Sequence, residues 1–337
     1  MCLLGVTFFY TERLTPETTV PKLLEKIVVH KKVSPEPVKM LFVGDIMLDR
    51  TVAISADQKG TDSLFLKVQD LLAGADVTVG NLEGPITDKP SVAKKDFSIL
   101  RFTFDPKFAQ VLKNYGFSAL SLANNHSLDF GRDGYDQTTN YLQNVDMAFF
   151  GSYLNDKNIS TSMQMKEKNI CLVGYHDLFT HDPVPVIDEI TRIRLECDYV
   201  VLFAHWGEEY QKIQGDRQTK LAHEFIDAGA DLVIGAHPHV VQPVEIYKNK
   251  AIFYSLGNFM FDQNFSFATR HGLAIEVEWS EEKTDFKLVP VAINEAEVEI
   301  ANETDGARVI RDVLAEGLLS PETTSSILNS WNFVLEN

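Results

Sequence analysis

With 337 residues, the chain can bury a large core, and we read it as one α/β domain with appendages rather than two domains. Its 31 Lys and Arg against 48 Asp and Glu give a formal net charge of −17, which excludes nucleic acid or anionic lipid as partners of a broad basic surface. No run approaches the roughly 18 apolar residues that cross a bilayer, and Cys2, Cys171 and Cys197, without CxxC spacing, allow at most one disulfide.

Residues 1–10 are a short apolar run without a basic leader or a complete cleavage site, so they read equally as an anchor remnant and as a tail or edge strand. Residues 11–37 mix Thr, Pro, Lys and Glu and read as a linker with a marginal helix over 22–30. From Val38 onward, apolar runs end abruptly in polar residues at 39–45, 76–81, 117–125, 199–205 and 231–237, and each predicts a buried strand. Between them, helical patterns cover 63–73, 134–145, 186–196 and 218–228, the last stopped by Gly229. Alternating strands and helices imply partly parallel sheets covered by helices. The later runs 251–256, 273–279 and 286–293 have no helices between them and predict an antiparallel portion. The tail carries helical candidates at 306–318 and 322–333, giving a division into a linker 1–37, a domain 38–300 and a C-terminal helical extension 301–337.

In open α/β sheets, reactive groups gather beyond the carboxyl ends of the strands. Here Asp45 ends the first strand, Asn81 and Glu83 the second, Asn124, Asn125 and His126 the third, His205 the fourth, and His237 with His239 the fifth. Singly, each has a plain reading as a cap, a polar turn or a core histidine. Together, two carboxylates, amides and four imidazoles at successive strand ends are the donor set of a site for Mn, Fe or Zn. In His237-Pro-His239 the extended backbone sends both imidazoles to one side, with Pro238 stiffening the turn.

The ordered motifs Gly44-Asp-Ile-Met-Leu-Asp-Arg50, Asn81-Leu-Glu-Gly-Pro85, Ala123-Asn-Asn-His126, His205-Trp-Gly-Glu-Glu209, Gly235-Ala-His-Pro-His239 and Tyr254-Ser-Leu-Gly-Asn-Phe259 resemble the CapA/PgsA-like bacterial capsule synthesis family over roughly residues 38–262. That family resembles the calcineurin-like metallophosphoesterases, which implies a sandwich of two mixed β-sheets flanked by helices and a site for one or two divalent metals. The resemblance makes Asp45 a ligand of a first metal and Glu83 the bridging carboxylate. It assigns Asn125, His205 and His237 to a second metal, His239 to the first, and His126 the role of general acid. Arg50, Asn124, Glu208 and Asn258 sit beside these in sequence as candidate substrate contacts; the plain readings are an ion pair for Arg50 and a strand-ending turn at 255–259. Two positions depart from the phosphoesterase pattern. Met47 stands where a histidine ligand is expected, with Asp49 either compensating or lying on the surface. Ser127 stands where a carboxylate orients the acid, so the acid is expected to lack it.

The resemblance implies a metal-dependent, phosphoesterase-like hydrolase of poly-γ-glutamate capsule synthesis or export. The alternative is a non-catalytic metal-containing binding or assembly module of the same machinery. Implied partners are an anionic polymer such as poly-γ-glutamate or a phosphoester, and membrane capsule-synthesis subunits, at an extracytoplasmic, membrane-associated location. No nucleic acid is expected.

Overall fold

The first strand serves two cores at once. In β1 (Val38–Ile46), Val38, Met40 and Phe42 point to one hydrophobic cluster, and Leu41 and Val43 to another, as the two-residue period of a strand dictates. β7 (Tyr199–His205) repeats the pattern, with Tyr199, Val201 and Phe203 sharing the cluster of Val38 while Val200, Leu202 and Ala204 face a third. Strands buried on both faces require two stacked sheets with helices outside, and that is the architecture of the computed structural model, which describes residues 36–179 and 181–337. The expectations for residues 1–10 and for a helix over 22–30 lie outside the described residues.

Parallel to β1 in the first sheet run β2 (Val77–Leu82), β3 (Ala119–Ser121) and β4 (Ala148–Phe150). On the other side of β1 lie antiparallel β12 (His271–Trp279), β13 (Lys283–Asn294) and β14 (Glu297–Ile300), with short β11 (Asn258–Met260) beside the end of β1. Besides β7, the second sheet holds β5 (Ser160–Met165), β6 (Lys168–His176), β8 (Leu232–Ala236), β9 (Val244–Tyr247) and β10 (Lys250–Phe253). Their order is β5-β6-β7-β8-β10-β9. Helices α1 (Arg50–Lys59), α3 (Lys107–Asn114) and α4 (Gly131–Gln143) contribute to the core on the outer face of the first sheet. α5 (Val184–Ile193) and α6 (Asp216–Ala228) cover the second, and Cys171–Cys197 joins β6 to the chain beyond α5, the one bridge the cysteine count allows.

Two helical expectations change. The pattern at 63–73 breaks into two 3₁₀ turns and the short α2 (Gln69–Ala73), because Phe65 leaves helical geometry (φ −124°, ψ −4°) to bury its ring against Tyr115, Phe117 and Phe259. After α7 (Glu303–Val313), the pattern at 322–333 is helical only as α8 (Pro321–Ser330). Trp331 in left-handed geometry (φ 55°) then turns the chain into β15 (Asn332–Glu336), which pairs with β13 and sends Phe333 and Leu335 into the core between the sheets.

The sheets are joined where residues 254–258 cross from β10 to β11. Asp45 N donates to Gly257 O (3.0 Å) and Leu256 N to Gly235 O (3.0 Å), so the crossing chain lies directly on β1 and β8. A Cβ at Gly44 would fall 1.8 Å from Gly257 O, and one at Gly235 1.9 Å from Tyr254 O. Backbone on both sides leaves nothing that can yield. Gly235→Ala is therefore expected to destabilise the fold by about 3 kcal/mol or more and to lower the melting temperature by several degrees; an unchanged melting curve would show that the crossover tolerates a side chain there.

Candidate metal centre

Strand register fixes which polar residues meet. In the first sheet Asp45 lies opposite both Asn81 and Asn258; in the second His205 lies opposite His176 and Ala236. The two rows touch across the sandwich: Asn81 Nδ2 donates to Asp45 Oδ1 (2.8 Å) and sits 3.2 Å from His205 Nδ1, while His237 N donates to Asp45 Oδ2 (3.2 Å). His237 and His239 follow β8 with φ of 94° and 58°, a left-handed geometry that non-glycine residues adopt at a cost and that gathers at functional sites.

The resulting cluster has two adjoining halves. Asp45, Glu83 and His239 offer donor atoms within 4.8 Å of one another, as do Glu83, His205 and His237, so Glu83 is common to both. Asn125 Oδ1 reaches to 2.8 Å from His205 Nε2 on the second half. Asn258 Nδ2 donates to Thr269 O (2.9 Å), which turns its Oδ1 toward His239 Nδ1 (3.0 Å); His239 Nδ1 must then carry the proton, and Nε2 faces Glu83 Oε1 at 3.7 Å.

Whether these residues fit a metal is decided by their unmet demands. Both Glu83 carboxylate oxygens and His237 Nδ1 are buried without a hydrogen-bond partner, a state that ordinarily costs several kcal/mol. Burial, and next the neighbouring Asp45 charge, holds the Glu83 carboxyl well above the usual carboxylate range. Burial also drives the imidazoles the other way: His237 falls to about 3, with His239 adding to the effect, and His205 lies well below its ordinary value. Neutral imidazoles beside an unsatisfied carboxylate are the ligand forms a divalent cation requires. The residues fit the group.

Several expectations are corrected. Asp49 is not on the surface and stands outside the cluster: buried at the start of α1, its oxygens accept from Arg50 N (2.7 Å), Ser91 Oγ (2.6 Å) and Thr103 N (3.0 Å). Met47 is core, its sulfur accepting from Asp49 N (3.1 Å). His126, expected as the acid, does have a carboxylate beside its ring: its Nδ1 lies 2.9 Å from Asp129 Oδ2, with Nε2 4.0 Å from Glu83 Oε1. Asp129 stands three residues on because a turn closes there, Asp129 N donating to His126 O (3.1 Å).

Of the candidate substrate contacts, Asn124 is fully buried and braces the site, donating to Asn81 Oδ1 (3.0 Å) and Leu82 O (2.9 Å). Asn258 is committed to His239, as above. Glu208 is exposed and lines a separate cavity with Asp177 and Arg217; its neighbour Glu209 is the one that joins His237 and His239. Strand alternation could not choose between the two glutamates, because Gly207 (φ 80°) takes the chain out of strand geometry before them. Arg50 lines the site cavity, ion-paired to Asp262 and placed over the rings of Phe102 (5.0 Å) and Phe261 (5.8 Å). His176, which ends β6 with its ring 5.9 Å from that of His205, was missed although its strand ends in histidine as β7 does.

A raised carboxyl pKa means the folded chain holds the Glu83 proton more tightly than the unfolded chain. Metal-free stability from this group therefore falls as pH rises above the ordinary 4.5 and through the raised value. In chelator-treated protein at pH 8, Glu83→Gln is expected to melt higher than wild type. With Zn²⁺ or Mn²⁺ added the order is expected to reverse, wild type gaining about 2.7 kcal/mol at a hundredfold excess over Kd. A variant less stable than wild type in chelator would show that Glu83 is not a strained, waiting ligand.

Residues 39–263 match the family model described as bacterial capsule synthesis protein PGA_cap. The PGA biosynthesis protein CapA of Bacillus subtilis (strain 168) is 35% identical over 284 residues, covering 79% of this chain and 74% of that protein. The capsule biosynthesis protein CapA of Bacillus anthracis is 31% identical over 302 residues, covering 82% and 73%. Among solved structures, a novel phosphatase from Mycoplasma pneumoniae aligns with a TM-score of 0.44 and 15% identity over 78% of this chain and 90% of that one. The chain belongs to the bacterial capsule synthesis protein family that the first of these matches defines.

Proposed function

We propose that this protein is a metal-dependent hydrolase of phosphoester-like bonds that works in the synthesis or export of the capsule polymer poly-γ-glutamate. The observation that carries the reading is the buried Glu83 carboxylate with both oxygens unpartnered, shared by two three-residue groups of potential ligands. Asp45, Glu83 and His239 would hold one divalent ion and Glu83, Asn125, His205 and His237 another. Glu209, beside His237 and His239, would supply the donor that Met47 cannot. Ions held there supply a water of lowered pKa and polarise the bond under attack.

The remaining roles fall to the protein. His126, whose Nε2 lies 4.0 Å from Glu83 Oε1, would give a proton to the leaving oxygen, with Asp129 holding its ring through Nδ1. Asn258 does the same for His239, and Asn81 with Asn124 holds Asp45 and His205 in place. A second reading, a metal-bearing binding or assembly module, draws on Met47 in the place of a ligand and expects metal uptake without turnover. An extracytoplasmic site of action is supported by the Cys171–Cys197 bridge, since disulfides persist in oxidising compartments. No helix among the described residues is long and apolar enough to cross a membrane.

Elemental analysis of protein purified without chelators is expected to find two metals per chain, falling on His237→Ala together with hydrolysis of bis(p-nitrophenyl) phosphate. Metal without turnover in the wild type would select the binding-module reading; absence of metal would end both. His126→Ala is expected to keep its metal and lose about 10²–10⁴ in kcat. Metal affinity by titration calorimetry is expected to drop about 10- to 100-fold in Glu209→Gln and to stay at the wild-type value in Glu208→Gln; equal affinities in all three would remove Glu209 from the ligand set.

A further inference from the structure

Four of the large apolar side chains that folding leaves in water gather at the candidate metal centre. Phe97, Leu100, Tyr210 and Phe265 are 47, 62, 42 and 66% exposed, and all four line a single cavity of ≈ 260 Å³ that also contains Glu83, His126 and His239. Buried Phe102 and Phe261 form its inner wall, with Arg50 over their rings. The exposed four come from three separate stretches of chain: between β2 and α3, after β7, and after β11. Three segments bringing apolar groups to the same rim are not one loop with a stray hydrophobe. Clustered apolar surface that folding leaves uncovered, continuous with a polar site, marks a surface for an apolar ligand.

The cavity's charges narrow the choice of ligand. Outside the ligand cluster, in which Glu209 is counted, the charged groups among its described lining residues are Asp262 and Arg50, which neutralise each other. A polycarboxylate laid along this wall would meet apolar rings and, among the described residues, no unpaired cation. The aromatic pairs are equally wrong for a flat ring: Tyr210 with Phe265 (83° between planes, centroids 5.2 Å apart) and Phe102 with Phe261 (84°, 6.3 Å) are edge-to-face and already in contact, leaving no parallel gap for a stacked base. A flexible hydrocarbon chain needs neither cations nor parallel faces.

We infer that the site takes an amphiphile: a phosphoester whose anionic head meets the Glu83–His239 cluster and whose apolar chain lies on the wall formed by Phe97, Leu100, Phe102, Phe261 and Phe265. The head-group half of this assignment rests on the hydrolase reading above; the chain half rests on the wall alone.

Two series of ligands separate them. Alkylphosphonates from methyl to octyl, kept below their micellar concentrations, are titrated calorimetrically into Zn²⁺- or Mn²⁺-loaded protein, and p-nitrophenyl alkyl phosphodiesters of the same chain lengths are assayed for release of p-nitrophenol. Kd is expected to fall, and kcat/KM to rise, by about three- to fourfold per methylene over the first several carbons, the factor for burying a methylene of about 0.8 kcal/mol. In the double variant Leu100→Ser/Phe265→Ser both dependences are expected to flatten. Phosphonate binding that tightens with chain length while no ester turns over would uphold the amphiphile and sink the hydrolase. Turnover or binding indifferent to chain length in the wild type would overturn the amphiphile and leave the hydrolase standing, and failure of every phosphonate to bind would overturn it as well.

Discussion

The Glu83 carboxylate is the constraint around which the rest of the structure is arranged. It is wholly buried, neither oxygen has a hydrogen-bond partner, and Asp45, itself buried, belongs to the same cluster. Two carboxylates brought out of water together repel each other and lose solvation, and among the described residues no Lys or Arg is paired with Glu83. A proton on Glu83 relieves such a pair and so would a cation, and the imidazoles of His205 and His237, held neutral by burial, are in the form that binds one. The donor set, the raised carboxyl pKa and the depressed histidines are one fact seen from three sides.

Holding that cluster in register demands a rigid frame, and the crossing segment between the sheets supplies it. Residues 254–258 leave β10, pass against Gly235 and Gly44, and arrive as β11 beside the end of β1. This places Asn258 against His239 and locks the second sheet's histidines to the first sheet's carboxylates. The same stretch that looks like a turn closing a strand is therefore the tie that sets the distance between the two halves of the site.

Around the cluster, support and reach are divided among different residues. Asn81, Asn124, Asn258 and Asp129 direct polar atoms at Asp45, Asn81, His239 and His126 respectively, and so fix the geometry of the cluster. The cavity wall that a ligand would touch is mostly aromatic and aliphatic. An acidic protein thus presents a polar floor beside an apolar wall.

Much of this was legible in the sequence. Buried strands ending in Asp45, Asn81, His205 and the His237–His239 pair follow from apolar runs cut short by polar residues, a purely local signal, and the ordered motifs carried the family and the sandwich of two sheets. What remained out of reach depended on contacts distant in the chain or on departures from regular geometry. Asp129 replaces the expected carboxylate only because a turn folds it back on His126; Glu209 and not Glu208 faces the histidines because Gly207 resets the alternation. Asp49 became a helix cap, tied to Ser91 and Thr103 from a segment some forty to fifty residues away. The strand β15 closes the tail onto β13 because Phe333 and Leu335 find apolar cover there, which no local pattern records. Sequence determined which residues end strands; tertiary structure decided which of their polar atoms are satisfied by the protein and which are left waiting, because that depends on every neighbour a side chain acquires when the two sheets close.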